Sequence, residues 1–219
     1  EKNGQWEQSL FLLSRVRNSD LTPDVVSFNA AISACEKGVQ WERALSLLKE
    51  MPGEGQIPDV FSFSASISAC EKSGQWEHAL SLLSKVRNAG ITQDTVSYCA
   101  AISACEKGGQ WERACFLLKA MCKADMTPND ITFNACISAC EKTGEWEQAL
   151  LLLNLMREAD LSPDVISFTA AISACERGSF WERALLLVNA MQEADVTMDE
   201  VIFHAVTEVT IAAGDLQSS

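Results

Sequence analysis

Val25-Val26-Ser27-Phe28-Asn29-Ala30-Ala31-Ile32-Ser33-Ala34-Cys35, then Glu36-Lys37-Gly38-Val39-Gln40, then Trp41-Glu42-Arg43-Ala44-Leu45-Ser46-Leu47-Leu48-Lys49-Glu50-Met51, is the stretch whose reading decides the fold. Behind Pro23-Asp24, its first part sets apolar or small residues at spacings of three, four and seven, the pattern of a helix with one buried face. Asp24 stands where an N-cap side chain accepts from a first-turn amide. Lys37-Gly38 supplies a basic last turn and a glycine, which is how helices stop. From Trp41 the apolar spacing of three and four resumes, so the stretch predicts a helical hairpin.

Working outward, the same hairpin returns along the whole chain. The six tryptophans, Trp6, Trp41, Trp76, Trp111, Trp146 and Trp181, are all 35 residues apart. With Val25 as the first residue of a unit, five complete copies span 25–59, 60–94, 95–129, 130–164 and 165–199, so 25–199 is a run of five 35-residue repeats. Residues 1–24 form a partial N-terminal repeat. Residues 200–219 supply only a first half, in which Thr210, Ile211 and Ala212 replace Cys-Glu-Lys, and read as a C-terminal capping repeat. A hairpin cannot bury both apolar stripes alone, so neighbours must stack and share a continuous core. The expectation is one all-α domain, a curved α-solenoid with first helices on one face and second helices on the other.

Composition narrows the function. Hydrophobic residues make up 47% of 219, enough for a large core, yet no stretch approaches the roughly 18 apolar residues of a membrane span. No membrane insertion is expected. Nine cysteines are present, but Cys35, Cys70, Cys105, Cys140 and Cys175 share one slot of successive first helices. Helix axes about 8–10 Å apart are too distant for a disulfide between them. They read as buried thiols acting as small apolar residues, in a reducing compartment. Cys136 and Cys140 lie one helical turn apart, but the only histidines, His78 and His204, fall at no finger-like spacing, so no metal and no cofactor is expected. The formal charge of −13 runs against nucleic-acid binding, which draws most of its sequence-independent affinity from Lys and Arg.

A 35-residue hairpin with Pro-Asp at the seam, as in Pro23-Asp24, Pro58-Asp59 and Pro163-Asp164, a Val-Val-Ser-Phe-Asn-like start and a Glu-Lys-Gly turn resembles the pentatricopeptide repeat (PPR), in its P-type-like form. The related tetratricopeptide unit has 34 residues and places Trp, Gly and Tyr differently. The tryptophan opening every second helix and the recurrent Ser-Ala-Cys-Glu-Lys depart from the general pattern. The resemblance implies a sequence-selective single-stranded RNA-binding module, one base per repeat, acting in organelle RNA processing, stability or translation, in plastid or mitochondrion. The chain opens on Glu1, without an initiator Met and inside a helix, so it reads as a segment of a longer protein from which any transit peptide would be missing.

Comparing copies separates an apolar frame from one variable slot. Phe28, Phe63, Tyr98, Phe133, Phe168 and Phe203 share a position, as do Ala30, Ala65, Ala100, Ala135, Ala170 and Ala205. Between them stand Asn29, Ser64, Cys99, Asn134, Thr169 and His204. The resemblance implies that this slot reads a base together with the last residue of its repeat: Asn29 with Asp59, Ser64 with Asp94, Cys99 with Asn129, Asn134 with Asp164 and Thr169 with Asp199. A carboxylate only accepts, which suits uracil or guanine, whereas Asn also donates, which suits adenine better. The family rule then gives 5′-UG(A)UG-3′, with Cys99 off-pattern at the central letter. Each seam Asp is equally useful as a helix cap. Val26, Phe61, Val96, Ile131, Ile166 and Val201 occupy the place where family members sandwich bases, or else they cap the core. Lys37, Lys72, Lys107, Lys142 and Arg177, with Lys2 in the partial repeat, close each first helix where family members meet phosphate; a helix dipole favours them there in any case.

Glu36, Glu71, Glu106, Glu141 and Glu176 sit beside those basic residues and lower the local potential, while Glu42, Glu77, Glu112, Glu147 and Glu182 place further acid on second helices. Acid turned outward there leaves the first-helix face open to RNA. The acidity and the short array also fit a second reading, a structural or protein-binding solenoid in a larger assembly. Catalysis is not expected: no nucleophile, base and acid converge, and no deaminase-like His-x-Glu with Cys-x-x-Cys is present.

Overall fold

The structure, a computed structural model, describes residues 4–19, 21–194, 196–197 and 207. Asp199, Val201, His204, Lys2 and nearly all of the C-terminal partial repeat lie outside the described residues. Eleven α-helices are found among the described residues, with no strand: α1 (Gly4–Asn18), α2 (Val25–Lys37), α3 (Trp41–Glu50), α4 (Val60–Lys72), α5 (Trp76–Asn88), α6 (Thr95–Lys107), α7 (Trp111–Lys123), α8 (Asp130–Thr143), α9 (Trp146–Glu158), α10 (Val165–Arg177) and α11 (Trp181–Glu193). First helices thus begin every 35 residues, and a tryptophan opens each described second helix from α3 onward, as the periodicity predicts. The chain divides into two compact units, Glu1–Gly108 and Gly109–Ser219.

Packing inside each unit follows from residue size. Consecutive first helices touch directly, α2 on α4 and α4 on α6 in the first unit and α8 on α10 in the second. The residues that allow this close approach are small and fully buried, among them Ala31, Cys35, Ala69, Cys70, Ala139, Cys140, Ala171 and Cys175. The second helices α3, α5 and α9 each settle against two first helices, that of their own repeat and that of the next: α3 on α2 and α4, α5 on α4 and α6, α9 on α8 and α10. Leu47, Leu48, Leu82, Leu83, Leu152 and Leu153 fill those grooves with Phe28, Ile67, Met121, Ile137, Met156 and Phe168. Burial of this kind contributes about 1.5–3 kcal/mol per large side chain, which no lone hairpin collects.

The seams are built as the sequence predicts. Asp24, Asp59, Asp94, Asn129 and Asp164 each accept a hydrogen bond from the amide three residues on, at 2.8–3.0 Å.

The turns are built differently. Gly38 has φ −85°, and the left-handed residue is the next one: Val39, Gly74, Gly109, Gly144 and Ser179 all have φ between 58° and 75°. The following amide donates to the buried cysteine carbonyl, Gln40 to Cys35, Gln75 to Cys70, Glu145 to Cys140 and Phe180 to Cys175, at 2.8–3.0 Å. This is the Schellman closure, in which the residue after the left-handed one reaches back five positions.

Gly38 and Gly108 serve another purpose. A Cβ at Gly38 would lie 2.5 Å from Trp6 Cδ1, and one at Gly108 would lie 2.3 Å from Trp76 Cδ1. The indoles of Trp6 and Trp76 therefore rest on the turn of the following repeat, and glycine makes room for them. At the corresponding position of the second repeat stands Ser73, and Trp41 lies tilted against His78 with ring centroids 4.8 Å apart.

Two substitutions follow with opposite signs. Val39→Gly removes a β-branched side chain from the left-handed region and is expected to raise stability by about 1 kcal/mol. Gly108→Ala forces the Trp76 ring aside and is expected to lower it by about 1–3 kcal/mol. Chemical denaturation of both variants checks the pair; equal effects would remove the distinction drawn between the two turn positions.

Candidate nucleic-acid interface

Two of the sequence-predicted pairs close into the same polar node. Asn29 Nδ2 donates to Asp59 Oδ1 at 3.1 Å and Oδ2 at 3.2 Å. The Ser62 hydroxyl lies 2.5 Å from Asn29 Oδ1 and 2.8 Å from Asp59 Oδ1. In the second unit Asn134 Nδ2 donates to Asp164 Oδ1 at 3.2 Å, with the Ser167 hydroxyl 2.6 Å from Asn134 Oδ1 and 2.9 Å from Asp164 Oδ1. The capping role and the pairing role of the seam Asp are therefore filled by one carboxylate at once. That carboxylate stays exposed at both places, while Asn29 is buried and Asn134 half-buried.

Partial burial would raise the carboxyls of Asp59 and Asp164, but hydrogen bonds outweigh it. The Ser62 amide and hydroxyl, then Asn29, hold Asp59 below the usual carboxylate range. Ser167 and Asn134 do the same for Asp164. Both groups are anionic at neutral pH.

The other pairs are arranged differently. The Ser64 hydroxyl turns back onto the Phe61 carbonyl at 3.2 Å, Asp94 is occupied with the Ser97 amide, and no hydrogen bond joins Ser64 to Asp94. Thr169 Oγ1 donates to the Val165 carbonyl at 2.6 Å, which leaves its lone pairs facing outward from the bond. Cys99 is half-buried on α6, and Asn129 is the exposed cap of α8. A hydroxyl three residues from a cap carries no pairing signal of its own, so the part played by Ser62 and Ser167 was missed in the sequence. The signal available was their position, directly after the seam in the repeat that follows each Asn.

The apolar row near the seams is out of the core. Val26, Phe61, Val96, Ile131 and Ile166 are 53–73% exposed, against 0–5% for Phe28, Tyr98, Phe133 and Phe168 two residues later. Core capping does not account for side chains that remain in water.

The basic row is engaged rather than waiting. Lys72 Nζ sits 2.7 Å from Glu36, Lys107 Nζ 2.5 Å from Glu71, and Arg177 3.9 Å from Glu141, each reaching the glutamate of the preceding repeat. Lys37 and Lys142 are exposed. Exposed pairs of this kind contribute little to stability and exchange readily with other anions. Glu42, Glu77, Glu112, Glu147 and Glu182 are all exposed on second helices, the face on which the sequence predicts them.

All nine cysteines are thiols, and Cys35, Cys70, Cys105, Cys140 and Cys175 are fully buried. Burial pushes Cys35 and Cys175 up to about 11 and Cys70 to about 12. Among the described residues no group of His, Cys, Asp and Glu is arranged to hold a metal, and no helix is long and apolar enough to cross a membrane.

Ser62→Ala tests the node. The variant leaves Asn29 Oδ1 without its hydroxyl donor, at an expected cost of about 1–2 kcal/mol. It also lets the Asp59 carboxyl titrate at higher pH. Because the folded-state value of Asp59 is depressed, its contribution is present above about pH 4 and lost as pH falls through the folded value. The stability gap between wild type and variant should therefore narrow in acid. An Asp59 titration by NMR that does not move would mean the hydroxyl donates elsewhere.

The PPR repeat family is matched over residues 23–72, 93–142 and 128–177, and the PPR repeat over 61–91 and 166–196. No curated protein sequence matches the chain significantly. Among solved structures it is similar to PPR10 in complex with an 18-nt psaJ RNA element, with TM-score 0.77 and 22% identity over 99% of this chain and 32% of that one. It is similar also to the PPR domain of Arabidopsis thaliana protein-only RNase P 1 in complex with tRNA, with TM-score 0.71 and 11% identity over 82% of this chain and 94% of that domain. A third likeness is to nuclear proteinaceous RNase P 2 from A. thaliana, TM-score 0.76 at 12% identity, covering 84% and 41%. The chain thus spans about a third of the length of PPR10, and at these identities the likeness is one of fold, the all-α solenoid of stacked hairpins. With its repeat matched across most of its length and its hairpins stacked within each unit, the chain belongs to the pentatricopeptide repeat family.

Proposed function

We propose that this chain binds single-stranded RNA along the N-terminal ends of its first helices, one base per repeat. The observation that carries this reading is the row Val26, Phe61, Val96, Ile131 and Ile166, large apolar side chains kept in water once per repeat and three residues before each variable polar slot. Such a row offers bases a surface to lie against. PPR10 and the PPR domain of RNase P 1, whose fold this chain shares, were solved with RNA bound, and that supports the assignment.

The Asn nodes suit uracil for a chemical reason. Asp59 Oδ2 accepts only from Asn29, so it has capacity for a base N–H. In the second unit Asn134 Nδ2 makes one bond to Asp164, and its other hydrogen can meet a base carbonyl. Uracil offers a ring N–H flanked by carbonyls and satisfies both; cytosine and adenine would set a ring lone pair against the carboxylate. Ser64 with Asp94 and Thr169 with Asp199 take guanine on the family rule, and Cys99 with Asn129 takes the central letter, giving 5′-UG(A)UG-3′. Lys37, Lys72, Lys107, Lys142 and Arg177 would meet phosphate, with Lys72, Lys107 and Arg177 exchanging glutamate for it. A role in organelle RNA processing, stability or translation, in plastid or mitochondrion, belongs to the same proposal and rests on family membership. The second reading, a protein partner in a larger assembly, is favoured by Phe116, Leu151 and Leu186, exposed on three second helices of the second unit.

Fluorescence anisotropy with labelled UGAUG-containing RNA and a base-shuffled control, across a salt series, tests the proposal. Binding should favour the first RNA and weaken with salt. Asn29→Thr should move preference at one base from uracil towards guanine by about 1–3 kcal/mol. Equal, negligible binding to both RNAs, with a protein retained on the chain instead, would favour the second reading. A fluorescent fusion of the full-length protein found outside both organelles would remove the organellar part.

A further inference from the structure

Four cysteines lie outside the recurrent slot, Cys99, Cys115, Cys122 and Cys136, and the fold brings two of them, Cys115 and Cys136, to a third. Cys115 stands where the other complete second helices have Leu45, Leu80, Leu150 and Leu185, and Cys136 where the other first helices have Ala31, Ser66, Ala101 and Ala171. Cys140 is the invariant buried cysteine of its own first helix. In the second unit α7 packs on α8, and there the thiols of Cys136 and Cys140 both hydrogen-bond to Cys115. Cys136 and Cys140 are fully buried, whereas Cys115 is half-buried.

Cys115 also lines a cavity of about 540 Å3, walled by Leu118, Phe133, Leu151, Leu152 and Leu155 and rimmed by Lys119. The opening exists because second helices rest on first helices rather than on each other. Its volume lies in the range that admits a small organic molecule. Cys115 is therefore the one thiol of the three that a reagent reaches.

We propose that Cys115, Cys136 and Cys140 form a thiol oxidation site, at which a hydroperoxide entering the cavity converts Cys115 to a sulfenic acid and an α8 thiol closes a disulfide onto it.

The electrons balance between two thiols and one peroxide. The Cys115 thiolate attacks a peroxide oxygen; the S–O bond forms, the O–O bond breaks, and the leaving alkoxide or hydroxide takes a proton. The neighbouring thiolate from α8 then attacks the Cys115 sulfur, the S–S bond forms, and the sulfenic oxygen leaves as water with the thiol proton. The two thiols are oxidised, and the peroxide is reduced to an alcohol or water plus water. Electrostatics favour this order. Hydrogen bonds from Cys136 and then Cys140 lower Cys115 against the opposing effect of burial, with Lys119 assisting, while the bond to Cys115 and burial raise Cys140. The thiol with the most thiolate character is also the accessible one, which is the requirement for a reactive cysteine. The product would fasten α7 to α8 covalently, across the boundary between two repeats.

The experiment treats the reduced chain with hydrogen peroxide or cumene hydroperoxide in slight excess, alkylates the remaining thiols after denaturation, and maps cross-linked peptides by mass spectrometry. The expected product joins Cys115 to Cys136 or Cys140 and is reduced by dithiothreitol, with Cys35, Cys70 and Cys175 recovered as alkylated thiols. Cys115→Leu restores the residue of the other repeats, so it should fold with an unchanged circular dichroism spectrum and lose the cross-link completely. Oxidation that stops at Cys115 without a cross-link, a cross-link that survives in Cys115→Leu, or oxidation spread evenly over the buried cysteines would each overturn the proposal.

Discussion

The structure depends on one constraint, that the apolar stripe of each second helix is buried only when the first helix of the following repeat is in place. Leu47 and Leu48 of α3 complete their burial against α4 as well as α2, and α5 and α9 are held in the same way. The close approach of first helices through alanine and cysteine sets how far apart successive repeats lie. A regular step of that kind places every chemically useful residue at the same height in each repeat, which is what any periodic ligand demands.

That step also explains how one residue serves two roles. The N-cap Asp of a first helix must point its carboxylate at the amides of its own first turn, which brings it beside the middle of the preceding first helix. There it meets Asn29 or Asn134, and a serine hydroxyl closes the triangle. Capping holds the carboxylate in place and, with the serine and asparagine bonds, keeps it ionised. The node is complete without a ligand, its three side chains satisfying one another.

Charge is distributed by the same geometry. The basic residue that ends a first helix reaches the glutamate of the repeat before it, so much of the acid beside the lysine row is neutralised along the stack. The exposed glutamates of the second helices lie on other elements. A net charge of −13 therefore describes the molecule as a whole and not the environment of any one lysine.

What the sequence by itself determined is what depends on residues within about one helical turn of each other, namely helix positions, the Asp and Asn caps and the small face of the first helices, together with the 35-residue period that dictates stacking. The exposed apolar row was legible as a position but not as a fate, because Val26 could have faced either the core or water. Gly38 was legible as a helix stop, yet its glycine is required by Trp6 from another repeat, while the left-handed turn residue is Val39. Only the tertiary structure decided the Asn29, Asp59 and Ser62 triangle, the glutamate to lysine pairs and the meeting of Cys115 with Cys136 and Cys140. Those contacts reach across 21 to 36 positions of sequence, and a distance of that kind is set by how neighbouring hairpins pack, which no local pattern encodes.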